Sequence, residues 1–581
     1  MDVFTKIICT IGPAVMGLER MKELMLSGMD VARINFSHGT QEDHLQTIAN
    51  LKKAREELGR PLAIMLDTKG AEIRIKKLFG SNLEVKAGQK LFFKPKIEAE
   101  NDLVIEPFSV LAGILPKTRI LIDDGYITTE VEEVTKDFVA VVVKNPGVIK
   151  LNKGVNIPGA NSKLPILTQK DRDDIIFGCQ HDIDLIAASF IRTAEGVLTI
   201  KNLLFEQGKP DILVIAKIES KEGLENFESI VEVADGIMVA RGDLGVEIDV
   251  SQVPKFQKMM IAKSALSCKP VVIATQMLES MINNPRPTRA EVSDVANAIY
   301  DGATAVMLSA ETAVGSYPME TVKRMHSIIK ESESDIDYFA FFQKQDKSKF
   351  SDISSSMAIA AVKTAYSSLA EAIFVYTTSG YTARLVSAWH PPKLILALTD
   401  SLKTYHQLAF AWGVLPVYTK KCRDAEEAFK IMSEYALKNN IVPFGGLVVV
   451  TAGVPFGKKG STNLMMLDSV GRILVRGQGY GEAVEGEIFV VRSLEKSPEL
   501  LSKDKILVIP RCSEEYFPLL EGAKGLILEN MLGDTKSEKT VVALAEKLKV
   551  PLLIHAENAM TLLSSGQKVV LDARRGLVYA G

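Results

Sequence analysis

The sequence predicts an α/β protein built on a (β/α)8 barrel, with a β-rich insert at one rim and a second α/β unit behind it. Three observations carry that prediction. Eight strand-like apolar runs alternate with helix-like segments up to about Thr312. The alternation breaks once, between Ala71 and Lys153, where short β-type runs follow one another. The C-terminal ends of the runs carry Arg33, Asn35, Asp67, Lys217, Glu219, Asp243 and Thr275. In a barrel those ends form one rim, where the loops carry chemistry, so the polar residues converge.

In chain order, the first four runs are IICTIG from Ile7, VARINFS from Val31, LAIMLDT from Leu62 and DLIAASF from Asp184. ILVIAKIES from Ile212, GIMVARGD from Gly236, PVVIATQM from Pro270 and ATAVMLSAET from Ala303 complete the set. Segments such as LERMKELMLSG and AEVSDVANAIYDG supply the intervening helices. Lys217 and Glu219 stand two residues apart, a spacing that sends both side chains to one face of a strand. Buried there, they need partners; a plain lysine–glutamate ion pair is the simple alternative to a catalytic role. Arg241 and Asp243 end the next run in the same way.

The insert reads LEVKAGQKLFF, TRILIDDG, YITTEVEEV and FVAVVVKN, a small β-barrel at the rim and well placed to act as a lid. Beyond Tyr338, FFQKQDKSKFSD reads as a linker. A further α/β unit opens with the helix SSMAIAAVKTAYSSL and alternates AIFVYTT, LILALT, VLPVYT and GLVVVTAG with helices to about Ser469. Thr377, Thr378, Ser379, Gly380 and Thr382 fall between a strand and a helix in it, as a phosphate cradle or an ordinary helix cap. The glycines of GQGYGEAVEGEIFVV lead into more strand, which excludes a dinucleotide fingerprint.

The 581 residues suffice for about four domains. A net charge of −3, from 69 basic and 72 acidic residues with no basic stripe, excludes nucleic acid and an anionic membrane as partners. Five scattered cysteines read as reduced thiols. The N-terminus enters a strand almost at once, leaving no room for a signal peptide. Glycines and prolines break the longest uncharged run, Ile441 to Gly457, so it does not read as a membrane span. The expectation is a cytoplasmic protein.

From Lys6 to about Ser469 the chain resembles the pyruvate kinases, on ICTIGPA, RINFSHG, LDTKGAEIR, KGVNIPG, AKIES, MVARGDLGVE, ATQMLESM and PRPTRAEVSDVANAIYDG in that order. The resemblance implies a catalytic barrel over residues 1–70 and 154–338, a lid over 71–153 and an effector-binding domain over 352–470. It implies phosphoryl transfer from phosphoenolpyruvate to ADP, giving pyruvate and ATP, in a homotetramer. Glu219 and Asp243 are hard oxygen ligands suited to Mg²⁺ or Mn²⁺. By resemblance, Lys217 and Arg33 meet the moving phosphoryl group with Arg74 nearby, and the N–H groups of Gly242 and Asp243 take the substrate carboxylate. Thr275 matches the threonine beside the enolate. Asn35, Ser37, Asp67 and Thr68 match the K⁺ ligands, and Arg33, Asn35, His38 and Lys153 match the nucleotide side. Glu72 goes with K⁺ dependence in the family, where a lysine there replaces the ion.

Two departures in the barrel, Ala71 for proline and Ala310 for glycine, remove no functional group. Residues 475–581 resemble the swivelling domain of phosphoenolpyruvate-utilising enzymes, of β/β/α type. Lys536-Ser537-Glu538 stands where those enzymes carry a Thr-Ser-His phosphohistidine motif, and His555 falls on a different strand end. No phosphoryl relay is therefore expected. Two other classes stay open: an inactive sugar-phosphate or nucleotide sensor, and a Mg²⁺-enolate lyase working without ADP. The effector also stays open, between a sugar monophosphate, a sugar bisphosphate and AMP.

Overall fold

A computed structural model describes residues 3–158, 164–345, 352–454, 462–471, 473–492, 503–531 and 533–580. The chain forms two compact units, one of Met1–Val362, Val375–Cys422 and Thr451–Leu464, the other of Lys363–Phe374, Arg423–Val450 and Met465–Gly581.

The first unit contains the expected eight-stranded parallel barrel. Its strands are β1 (Lys6–Ile11), β2 (Val31–Asn35), β3 (Ala63–Asp67) and, after the insert, β13 (Leu185–Ala188), β14 (Leu213–Ile218), β15 (Gly236–Ala240), β16 (Val271–Ala274) and β17 (Ala305–Leu308). Strand alternation divides the core. Ile8, Val31, Ala63, Met65, Leu185, Ala187, Leu213, Ile215, Met238 and Val272 fill the interior with Phe410. Ile7, Cys9, Ala32, Ile64, Ile186 and Val214 pack outward with the helix residues. Each run is apolar on both faces because the barrel interior and the helix layer both exclude water.

The insert is a second closed barrel, of β4 (Ile73–Leu78), β6 (Lys90–Phe93), β7 (Asp102–Glu106), β8 (Arg119–Ile122), β9 (Ile127–Val134), β10 (Val139–Val143) and β12 (Gly154–Asn156). A two-stranded sheet of β5 (Asn82–Val85) and β11 (Gly147–Lys150) accompanies it. It has its own core, around Ile75, Leu91, Phe93, Ile105, Ile120 and Val141. Gly70, at φ 75°, marks the outgoing hinge. A Cβ there would lie 2.7 Å from Phe190 Cδ2, so only glycine fits.

The segment read as a linker is partly helix: Tyr338–Gln345 is helical, and 346–351 lie outside the described residues. Its aromatic residues explain this. Phe342 is buried, and Phe341 stacks on His390 at 5.2 Å, which a polar linker would not do. Beyond it, strands Ala372–Tyr376, Leu394–Thr399, Val414–Tyr418 and Leu447–Gly453 alternate along the chain with helices Tyr381–Ser387, Leu402–Gln407 and Ala425–Lys438.

The second unit holds an eight-stranded sheet whose central strands, Ala483–Val490, Ile506–Ile509, Gly525–Leu528 and Leu552–Ile554, pair parallel in turn. Glu538 lies in the first turn of helix Thr535–Leu548. His555, expected apart from it, is brought onto it: Nε2 lies 3.1 Å from Glu538 Oε1, and Asn530 Nδ2 donates to the same oxygen at 2.9 Å.

Candidate active site

Continuing the inward face of each strand upward by one step reaches the rim. Ile8 leads to Thr10, Val31 to Arg33 and Asn35, Met65 to Asp67, Ala187 to Ser189, and Ile215 to Lys217 and Glu219. These side chains meet. Arg33 Nε donates to Asp67 Oδ2 at 2.6 Å, and its Nη1 to Thr10 Oγ1 at 2.9 Å. Lys217 Nζ lies 3.1 Å from Asp67 Oδ1, 3.0 Å from Glu219 Oε1 and 2.7 Å from Ser189 Oγ. Glu219 Oε2 accepts the Phe190 N–H at 2.5 Å. The simple ion-pair reading of Lys217 and Glu219 is too small for this network.

Burial decides the electrostatics. It opposes the charge on Lys217, but Asp67 and Glu219 outweigh it and hold the ammonium above its ordinary pKa. Burial likewise opposes the Asp67 carboxylate, and Arg33 and Lys217 overcome it, keeping Asp67 below the usual range. Glu219 is pushed up, first by burial and then by Asp243, against the pull of Lys217. Asp243 is pushed up by burial and by Asp124 and Glu72, again against Lys217. Three carboxylates thus face two cations, an excess of negative charge that a metal cation would relieve.

Asp243 opens a second group. It lies in helix Arg241–Glu247, which starts directly after β15. Arg241 anchors the helix start, with Nη1 on Asp294 Oδ2 at 2.7 Å and Nη2 on the Thr275 carbonyl at 2.6 Å. Thr275 and Gln276 both have left-handed backbones, φ 68° and 53°, at the end of β16. That turn brings Thr275 Oγ1 to accept the Gly242 N–H at 2.9 Å.

The lid completes the site. A cavity of about 240 Å³ is lined by His38, Phe190 and Asp243 and, from the insert, by Glu72, Arg74, Asp123, Asp124 and Lys153. Lys153 Nζ pairs with Asp123 Oδ1 at 2.8 Å. Arg74 Nε donates to Glu72 Oε2 at 2.6 Å, and Nη1 to the Asn152 carbonyl at 2.7 Å. Arg74 therefore stands with the lid and makes no hydrogen bond to the Arg33 group among the described residues. Asn35 and Asp67 are register partners on β2 and β3; Asn35 Oδ1 accepts the Ser37 N–H, and Thr68 Oγ1 accepts the Ser189 N–H, both at 3.0 Å.

Sequence reasoning missed Thr10, Ser189, Asp123 and Asp124. The signal for the first two was present, since Thr10 is the next inward residue after Ile8 within β1 and Ser189 the next after Ala187, just beyond β13.

Residues 3–322 match the sequence profile of the pyruvate kinase barrel domain, more than half of the chain. The chain belongs to the pyruvate kinase family. Residues 355–467 match the pyruvate kinase alpha/beta domain, and 501–576 the mobile domain of PEP-utilising enzymes. A pyruvate kinase of Geobacillus stearothermophilus is 42% identical over 99% of this chain and 98% of its own. One from Sporosarcina psychrophila is 40% identical over 99% of each. A crystal structure of a pyruvate kinase from Cryptosporidium parvum superposes with a TM-score of 0.78 at 36% identity, covering 81% of this chain and 96% of that one. Pyruvate kinase activity, with phosphoenolpyruvate and ADP as substrates and pyruvate and ATP as products, follows from full-length relatives. Pyruvate kinases generally use a divalent metal and K⁺. Among the described residues no helix is long and apolar enough to cross a membrane.

The donor set fits such a metal. Among the described residues no three His, Cys, Asp or Glu side chains form a cage. Two carboxylates, Glu219 and Asp243, would leave the remaining positions to substrate oxygens and water, the habit of Mg²⁺.

Proposed function

We propose that the rim of the first barrel carries out the phosphoryl transfer with the residues gathered there. The contact chain Arg33–Asp67–Lys217–Glu219, buried at the inward ends of β2, β3 and β14, is the observation that carries this reading. Lys217, kept charged by two carboxylates, neutralises the oxygens of the phosphoryl group as it moves, and Arg33 holds the same group. Glu219 and Asp243 would hold Mg²⁺ or Mn²⁺, which would supply Lewis-acid neutralisation of substrate oxygens. The N–H groups of Gly242 and Asp243 take the substrate carboxylate. Gly242 passes from Thr275 Oγ1 to the substrate, and the Thr275 hydroxyl, which donates to the Ala274 carbonyl at 2.6 Å, turns from that carbonyl to join the water network that protonates the enolate. Arg33, Asn35, His38 and Lys153 bind the nucleotide beneath the lid, with Arg74 on the lid side.

Asn35, Ser37, Asp67 and Thr68 would hold K⁺, and Glu72 supplies the acidic residue that accompanies K⁺ dependence. Turnover should therefore rise by about tenfold or more when K⁺ replaces Na⁺ at equal ionic strength. Equal rates in the two buffers would refute the cation site.

The domain reading of 1–70 with 154–338, 71–153, 352–470 and 475–581, a homotetramer and a cytoplasmic setting complete the proposal. A phosphorylated effector, a sugar phosphate or AMP, would bind at Thr377, Thr378, Ser379, Gly380 and Thr382. Thr378 and Ser379 are the half-buried hydroxyls of that loop, whereas Thr382 Oγ1 is already 2.6 Å from Thr462 Oγ1. Trp389 and His390 are buried, with His390 stacked on Trp412 at 4.1 Å, so that pair serves packing. Replacing Thr378 and Ser379 with alanine should abolish activation by ribose 5-phosphate, fructose 1,6-bisphosphate or AMP and leave basal turnover intact. Retained activation would move the site elsewhere.

A further inference from the structure

We propose that Arg192 is the positioning residue of the lid, tying the chain that returns from the lid to the strand end that supports Glu219. Ser189 to Arg192 follow β13 and hold both lid connections. On the outgoing side, Ser189 Oγ donates to the Thr68 carbonyl at 2.6 Å, and its N–H to Thr68 Oγ1 at 3.0 Å. Phe190 has a left-handed backbone, φ 52°, unusual for a bulky residue. That turn aims its N–H at Glu219 Oε2 and lays its ring where a Cβ on Gly70 would stand. Gly70 is held from its other side by Asp171 Oδ1, which accepts its N–H at 2.9 Å.

On the returning side, Arg192 is 9% exposed and donates from Nη2 to the Leu164 carbonyl at 2.7 Å, with the Pro165 carbonyl 3.5 Å away. Its own carbonyl accepts from Asn226 Nδ2 at 2.9 Å, which fixes the backbone beneath the guanidinium. Leu164 and Phe190 both line the 240 Å³ cavity, so the clamp sets the distance between its lid wall and its barrel wall. Nη1 is buried without a hydrogen-bond partner among the described residues. A guanidinium with one arm engaged and one open can exchange carbonyls as the returning chain shifts, and so hold it in more than one position. Arg192 touches no reacting atom. It acts through the lid, and the substrate it governs is the one the lid covers.

The kinetic part of the test rests on the reading that the lid binds the nucleotide. Arg192→Met and Arg192→Lys are compared in the full-length protein by steady-state kinetics and amide hydrogen exchange. In Arg192→Met, exchange at residues 164–168 should quicken, and KM for ADP should rise about tenfold, with kcat and KM for phosphoenolpyruvate within about twofold. Arg192→Lys, which keeps the charge and can reach one carbonyl, should fall between, and it carries the test if the methionine variant does not fold. Unchanged exchange at 164–168 overturns the clamp, as does a loss of kcat with KM for ADP unaltered and exchange unaltered. Faster exchange with an unaltered KM for ADP supports the clamp and rejects the lid as the nucleotide's binding surface.

Discussion

Lys217→Met should lower turnover by about 10³-fold, some 4 kcal/mol of transition-state stabilisation. The ammonium is buried within 3.1 Å of Asp67 and 3.0 Å of Glu219, and those acids keep it protonated across the working pH range. Its charge is therefore available whenever charge spreads over the equatorial oxygens of the phosphoryl group. Methionine has a similar length and fits the apolar stem, so the loss falls on the charge. Removing it also leaves Asp67 with Arg33 alone and Glu219 without a cation at hydrogen-bond range, which costs stability. A thermal unfolding curve separates the two effects: the variant should melt lower yet remain folded at the assay temperature. KM for phosphoenolpyruvate should change far less than kcat, because the interaction grows in the transition state. A near-normal rate would dismiss Lys217 as the electrophile.

Glu219→Gln should remove metal binding more than it disturbs the fold. The amide oxygen can still accept the Phe190 N–H, and the amide fills the same volume. It cannot supply the negative charge that, with Asp243, makes this corner attractive to a divalent ion. Mn²⁺ affinity, read directly by electron paramagnetic resonance, should fall at least about 100-fold, with turnover falling in parallel at fixed Mg²⁺. Excess Mg²⁺ should recover part of the rate. Normal Mn²⁺ affinity with lost activity would show that the carboxylate works elsewhere than at the metal.

The barrel was legible because its eight strands are short, apolar on both faces and separated by helix-length segments. The rim was legible for the same reason. Inward positions recur every second residue, so the first polar residue above each apolar strand had to reach the mouth. Arg33, Asp67, Lys217 and Glu219 follow from that periodicity alone. What strand periodicity does not encode is a backbone that leaves the strand. Phe190, Thr275 and Gln276 take left-handed conformations without glycine, and no propensity announces them. Phe190 N–H on Glu219 and Thr275 Oγ1 on Gly242 both come from such turns. The helix at Tyr338–Gln345 was misread for a different reason: a charged stretch follows it, and its aromatic residues count only once their packing partners are known. His555 was separated from Glu538 in the sequence by 17 residues, and only the closing of a parallel sheet brings a strand end onto the first turn of a neighbouring helix.

The most direct test is pyruvate formation from phosphoenolpyruvate and ADP, followed through lactate dehydrogenase, with each of ADP, Mg²⁺ and K⁺ left out in turn. The account predicts turnover that vanishes without ADP or Mg²⁺ and drops without K⁺. Pyruvate released at the full rate without ADP would contradict phosphoryl transfer to the nucleotide, because water would then take the phosphoryl group; silence from the folded protein under every condition would leave a sensor built on the same fold.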